Sequence, residues 1–237
     1  LAVITVFIKV KKIKTPAYKK FNTLLLRKVM TIAVPSIMQQ SFVSIGQLFV
    51  QGRINSFGAI VVAGYSAAFK IQIFILAALS TVSNAISSFI AQNLGAGKTE
   101  RMRDGIKIGL KMIFSMSVIF FLVCYFMANP LMELFMDGKT QESLNGIKVG
   151  VGFLHIVTPF YMIICIKFIY DGALRGMEAM KGFMASTFAD LIARVVLSFL
   201  FSIPFGYIGI WWAWPVGWFI GTCVSIYCGK KELKKYF

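Results

Sequence analysis

Six stretches of this chain are apolar and long enough to cross a hydrocarbon core as helices, and short clusters of lysine and arginine separate them. They run from about Leu26 to Gln51, Ala59 to Leu94, Gly105 to Met127, Lys148 to Ala173, Phe183 to Ile203 and Ile208 to Cys228. A helical span needs about 20 residues. In lipid only helices and closed barrels satisfy every backbone group, and no alternating strand pattern of about ten residues occurs. The expected fold class is therefore all-α: a polytopic membrane protein built as a six-helix transmembrane bundle. The second stretch is the outlier, because at 1.5 Å per residue it comes to about 54 Å, so it bends or projects beyond the bilayer. Composition agrees, with 58% hydrophobic residues in 237 against about 45–50% apolar in ordinary soluble domains.

A net charge of +16 would suggest nucleic acid in a soluble protein, so the placement of the charges decides its meaning. Eight Lys and Arg fall between Lys9 and Lys28, five between Lys98 and Lys111, two at Arg175 and Lys181, and four between Lys230 and Lys235. The intervening loops carry only Arg53, Lys139 and Lys148. This is the positive-inside pattern, which puts both chain ends on the cytoplasmic side and calls for a bilayer rather than nucleic acid as partner. The apolar Leu1 to Ile8 precedes its basic residues, the reverse of a signal peptide. Residues 1–8 are expected to be the end of a preceding transmembrane helix, 9–25 a basic cytoplasmic linker, 26–228 the six-helix lobe and 229–237 a basic cytoplasmic tail.

Ionisable and amide side chains inside the spans are the candidate functional residues, since lipid leaves them unsatisfied. In the first span Ser36, Gln40, Ser44, Gln47 and Gln51 follow steps of three and four, which places them on one helical face. A similar line in the second span holds Ser66, Lys70, Ser80, Asn84 and Ser87. These read as the wall of a water-accessible cavity, with interhelical hydrogen bonding as the alternative. Asp190 and Arg194 stand four apart in the fifth span and can neutralise each other. Lys167, Asp171 and Arg175 form a ladder at steps of four, in which both cations can reach Asp171; these ion pairs are expected to hold helices or close a gate. His155 is expected to be a hydrogen-bonded packing residue. The tryptophans at 211, 212, 214 and 218 are expected to form an interfacial belt. The four cysteines lie in apolar runs without a paired or metal-binding spacing.

Enzyme signatures do not occur. The stretch Gly95-Ala96-Gly97-Lys98-Thr99 has the end of a phosphate-binding loop, but Gln92 stands where that loop needs its first glycine. No catalytic residue, metal or cofactor is expected.

Several strings carry a family resemblance: AVPSIMQQSFVSIGQLFVQGRINSFGA from Ala33, AGYSAAFKIQIFILAALSTVSNAISSFIAQNLGAGK from Ala63, and GALRGMEAMKG from Gly172. They contain a Pro-x-x-x-Gln-Gln helix ending in x-R-x-N-x-x-G, a Q-N-L-G-A-G-K closing the next helix, and a G-x-L-R-G-x-x-x-x-K. Ala193 to Leu197 is similar to an arginine-bearing stretch of the same pattern. Over Phe21 to Phe237 the chain resembles the second half of a multidrug and toxic compound extrusion (MATE) transporter. The resemblance implies a twelve-helix protein of two six-helix lobes that rock to expel drugs in exchange for protons or sodium, with this chain as the C-terminal lobe and an N-terminal lobe as its partner. One branch of that family carries coupling acids that fall, by spacing from Pro35 and Arg175, near Val43 and Ile164. Both are apolar here, so the resemblance shifts ion coupling to the N-terminal lobe.

The expected function is secondary active multidrug efflux from a bacterial inner membrane, by alternating access, with cationic amphipathic small molecules as substrates. Two other readings stay open: a lipid-linked oligosaccharide flippase of the same broad superfamily, and a membrane scaffold subunit that transports nothing.

Overall fold

The computed structural model describes residues 22–236. The stub at residues 1–8 and most of the basic linker expected over 9–25 lie outside the described residues. The described chain is helical throughout: α1 Thr23–Asn55, α2 Ala59–Gly95, α3 Thr99–Phe126, a short α4 Ala128–Glu133, α5 Gln141–Val157, a 3-10 turn Thr158–Phe160, α6 Tyr161–Gly176, α7 Met180–Phe205 and α8 Tyr207–Leu233. Among the described residues five segments are long and apolar enough to cross a membrane, with α5, the turn and α6 counting as one from Gln141 to Gly176. The sixth apolar stretch of the sequence forms α8, 27 residues long. This is an all-α, multi-pass membrane bundle.

Local chemistry explains the helix ends. Pro159 lacks an N–H and so cannot continue the i to i−4 ladder; the fourth crossing tightens there into a 3-10 turn. Pro35 and Pro215 are absorbed inside continuous helices. At the end of α2, Lys98 N–H donates to the Asn93 carbonyl at 2.8 Å and Gly97 N–H to that of Leu94 at 3.0 Å, while Gly97 takes φ +68°. That pairing is a Schellman cap, so the glycines of Q-N-L-G-A-G-K stop a helix. The same cap ends α6, where Ala179 N–H bonds the Leu174 carbonyl at 2.8 Å and Glu178 N–H bonds that of Arg175 at 3.1 Å. Glu178 there occupies φ +58°, a conformation usually given to glycine.

The core lies among α2, α5, α6 and α8 and is rich in rings. Tyr65 meets Phe153 edge-on with centroids 5.2 Å apart, Phe153 meets Trp211 at 5.9 Å, and Trp214 meets Trp218 at 5.9 Å. Trp211, Trp214 and Trp218 are buried, and Trp212 alone of the four is exposed. The expected interfacial belt is therefore a packed aromatic seam: the rings share one side of α8, and that side faces the lobe.

The first crossing is the peripheral one, with 6% of its most apolar stretch buried. It leans mainly on α7, through Phe42 against Phe188 at 5.2 Å and through Gly46, where an added Cβ would lie 2.3 Å from Leu191 Cδ1.

Candidate functional site

Two sets of polar side chains at membrane depth meet different fates. On α1, Gln40 and Ser44 are exposed, the Ser44 hydroxyl donating only to the carbonyl of Gln40 at 3.1 Å. Gln47 closes one edge of the stripe by donating to the Tyr65 hydroxyl at 3.0 Å, and Gln51 bonds Asn55 along its own helix at 2.9 Å. On α2, Lys70 and Asn84 are exposed. The Lys70 ammonium lies 5.9 Å from the Phe135 ring centroid, and no carboxylate among the described residues stands within ion-pair distance of it. At about 100° per residue, Lys70 is about 140° around α2 from Tyr65. The exposed members of the two lines are therefore Gln40 and Ser44 on α1 and Lys70 and Asn84 on α2, the others being half-buried.

The ion pairs lie inward. Lys167 Nζ donates to Asp171 Oδ2 at 2.6 Å, and the hydroxyls of Ser186 and Ser225 each donate to Asp171 Oδ1 at 2.6 Å. Asp171 thereby ties α6 to α7 and α8. Arg194 donates to Asp190 Oδ1 at 3.0 Å and lays its guanidinium over Trp214 at 4.3 Å. The two pairs adjoin: a Cβ added at Gly221 would lie 2.6 Å from Asp190 Cβ and 2.9 Å from Lys167 Cε. Only glycine lets α8 approach that closely. All four charged residues are at most 9% exposed.

Arg175 departs from the expected ladder. It donates to the Ser83 hydroxyl on α2 at 2.9 Å and covers Phe183 at 5.3 Å, and no carboxylate among the described residues is within ion-pair distance of it. The reason is packing. A Cβ on Gly172 would fall 2.5 Å from the Ser83 carbonyl oxygen, and one on Gly176 would fall 2.6 Å from that of Ser87. Small residues four apart on α6 thus face small residues four apart on α2, so the helices nearly touch, and Arg175 finds Ser83 before it finds Asp171. His155 stacks on Tyr125 at 4.6 Å with Nε2 3.0 Å from the Tyr125 carbonyl oxygen. The positions matched to family coupling acids, Val43 and Ile164, are half-buried and buried. Among the described residues no group of three His, Cys, Asp or Glu converges as a metal site.

Gln72, which no polar stripe in the sequence includes, is fully buried with neither amide atom hydrogen-bonded, and the buried hydroxyls of Thr158 and Tyr161 are likewise unpartnered. A glutamine between Ile71 and Ile73 inside an apolar run was the available signal.

Comparison with known proteins places this geometry. The MatE family pattern matches residues 35–200. The chain belongs to the MatE family. Among solved structures, a MOP superfamily transporter from Pyrococcus furiosus superposes with a TM-score of 0.87 at 14% identity, over 99% of this chain and 53% of that one. The Vibrio cholerae MATE transporter VcmN in its bent form gives 0.86 at 18%, over 99% and 53%. Curated relatives include the probable multidrug resistance protein YoeA of Bacillus subtilis, 22% identical over 50% of this chain and 26% of that protein. Another is the FAD transporter of Shewanella oneidensis, 26% identical over 46% and 24%. The chain therefore covers about half of each of these two solved transporters and about a quarter of each of these curated relatives, and its bundle corresponds to one lobe of the solved fold.

Proposed function

We propose that this bundle is the C-terminal lobe of a small-molecule exporter in a bacterial inner membrane, with both of its ends cytoplasmic. It works by alternating access against an N-terminal lobe. The observation that carries this reading is the exposure of Gln40 and Ser44 on α1 and of Lys70 and Asn84 on α2: an amide or an ammonium within an apolar span needs a polar neighbour, and Lys70 has no carboxylate beside it among the described residues. Gln40, Ser44, Gln47 and Gln51 then line a cavity between the lobes, with Lys70 and Asn84 at its margin. The buried Lys167, Asp171, Asp190 and Arg194 hold the lobe rigid as it moves, and Arg175 locks α6 to α2. With Val43 and Ile164 apolar, the coupling proton or sodium is handled by the other lobe.

The substrate has two readings. Drug-like molecules are one reading, supported by the likeness to a probable multidrug resistance protein, and the sequence resemblance implies cationic ones. An anionic small molecule is favoured by Lys70, which has no acid beside it, and by the likeness to an FAD transporter and to a Pyrococcus transporter described as having a binding pocket of reverse polarity. Proteoliposomes containing both lobes should accumulate a fluorescent cation, or else a fluorescent anion, against an imposed proton or sodium gradient. The C-terminal lobe alone should move neither; gradient-driven transport by this chain alone contradicts the proposal.

A further inference from the structure

Between α3, α6 and α8 the outer wall of the bundle opens into an apolar groove of about 390 Å³. Phe114, Ile166 and Ile226 line its body, and Lys111, Tyr170 and Lys230 also border it. Their order along the chain sets the groove's polarity. Lys111 precedes Phe114 on α3, whereas Tyr170 follows Ile166 on α6 and Lys230 follows Ile226 on α8. Because α3 crosses antiparallel to the other two, all three polar residues gather at one end and the apolar residues extend from them toward the membrane centre.

That end is positive without local compensation. No acid lines the groove. Of the carboxylates on the three surrounding helices, Asp104 faces Lys107 at 3.7 Å, Asp171 is bound by Lys167 at 2.6 Å, and Glu232 is bound by Lys235 at 2.8 Å. Glu100 sits in the first turn of α3, about three turns from Lys111. Lys111 and Lys230 are exposed, and neither pairs with a carboxylate among the described residues. Tyr170 is held half-buried against Gly229, where an added Cβ would come within 2.5 Å of its ring.

An apolar groove inside a bilayer gains nothing by exchanging one lipid tail for another, so its walls seat a chain without selecting it. Selection has to come from the two ammonium groups, which attract a negative headgroup at the level of the interface. We infer that this groove holds one anionic phospholipid of the adjoining leaflet, its phosphate between Lys111 and Lys230 and the first part of an acyl chain against Phe114, Ile166 and Ile226. From Cys165 to Tyr170 the groove runs about 7 Å along α6, so it grips the glycerol-proximal end of the chain and leaves the rest in the bilayer.

The test uses the purified chain in phosphatidylcholine vesicles doped with spin-labelled phosphatidylglycerol or spin-labelled phosphatidylcholine. The fraction of each probe immobilised on the protein is read by electron paramagnetic resonance. Phosphatidylglycerol should be preferred by at least tenfold. Either Lys111→Gln or Lys230→Gln should reduce that preference about fivefold, and the double variant should bring it to the phosphatidylcholine level. Lys111→Arg with Lys230→Arg should keep it, and Lys234→Gln, outside the groove, should leave it unchanged. Ile166→Trp, which fills the groove with both lysines intact, should lose the site while remaining folded by circular dichroism. Equal immobilisation of the two probes on the unaltered chain overturns the inference. So does an undiminished preference in the double glutamine variant or in Ile166→Trp.

Discussion

Asp171 accepts three hydrogen bonds of 2.6 Å from α6, α7 and α8, whereas Gln40, also within a membrane span, is exposed on a helix that its own lobe barely covers. The α6–α7–α8 junction and the α1 surface thus dispose of intramembrane polarity in opposite ways. At the junction Lys167, Asp171, Asp190 and Arg194 find their counter-charges inside the lobe, and glycines at 217 and 221 bring the helices close enough for that. On α1, Gln47 reaches Tyr65 and Gln51 reaches Asn55, while Gln40 and Ser44 stay exposed. In the proposed transporter, polar groups of the first kind hold the lobe together and those of the second kind face the cavity.

The largest expected difference between the two regions concerns charge. Asp171→Asn leaves the Lys167 ammonium buried without a counter-charge and should cost about 3–5 kcal/mol of stability, while Lys167→Met with Asp171→Leu should recover most of it. Asp190→Asn should cost less, because Arg194 keeps the face of Trp214. Gln40→Leu on α1 should change stability by less than about 0.5 kcal/mol. Thermal unfolding of the purified chain reads all of these, and equal, additive losses at positions 167 and 171 would break the contrast.

Close packing gives the next effect. Gly172→Ala places a methyl 2.5 Å from the Ser83 carbonyl oxygen and should destabilise the lobe by about 1–3 kcal/mol. The smallest expected change has the opposite sign. A Cβ at Gly52 on α1 meets nothing within 4 Å, so Gly52→Ala should stabilise by up to about 1 kcal/mol through helix propensity. A destabilising Gly52→Ala would show that α1 is more tightly packed than its exposure indicates.

Much of the fold was legible because the bilayer imposes it. Span length anticipated the long helices, and the i, i+4 spacing of Lys167 with Asp171 and of Asp190 with Arg194 anticipated pairs within one helix. Contacts between helices were not legible in that way. Nothing in the spacing of Lys167, Asp171 and Arg175 says that Gly172 and Gly176 draw α2 close enough for Ser83 to capture Arg175. The tryptophans misled for a similar reason, since their position at the start of α8 suits an interface and only the packing of Phe69, Phe153 and Tyr161 shows that three of them fill the core. The α1 stripe was legible as a face, but the contact of Gln47 with Tyr65 across to α2 was not.

The difference between an open α1 face and a sealed junction is most directly tested by labelling single cysteines with a membrane-impermeant thiol reagent, in a two-lobe transporter whose native cysteines are all replaced by serine. Cysteines at Gln40 and Ser44 should react rapidly. Those at Ile45 and Phe49, about 140° and 180° around α1 from Gln40, should stay unreactive in lipid, as should one at Ser186 beside Asp171. Reactivity that is equal around α1, or that is confined to Ile45 and Phe49, would contradict the placement of the glutamine stripe on a water-filled cavity between lobes.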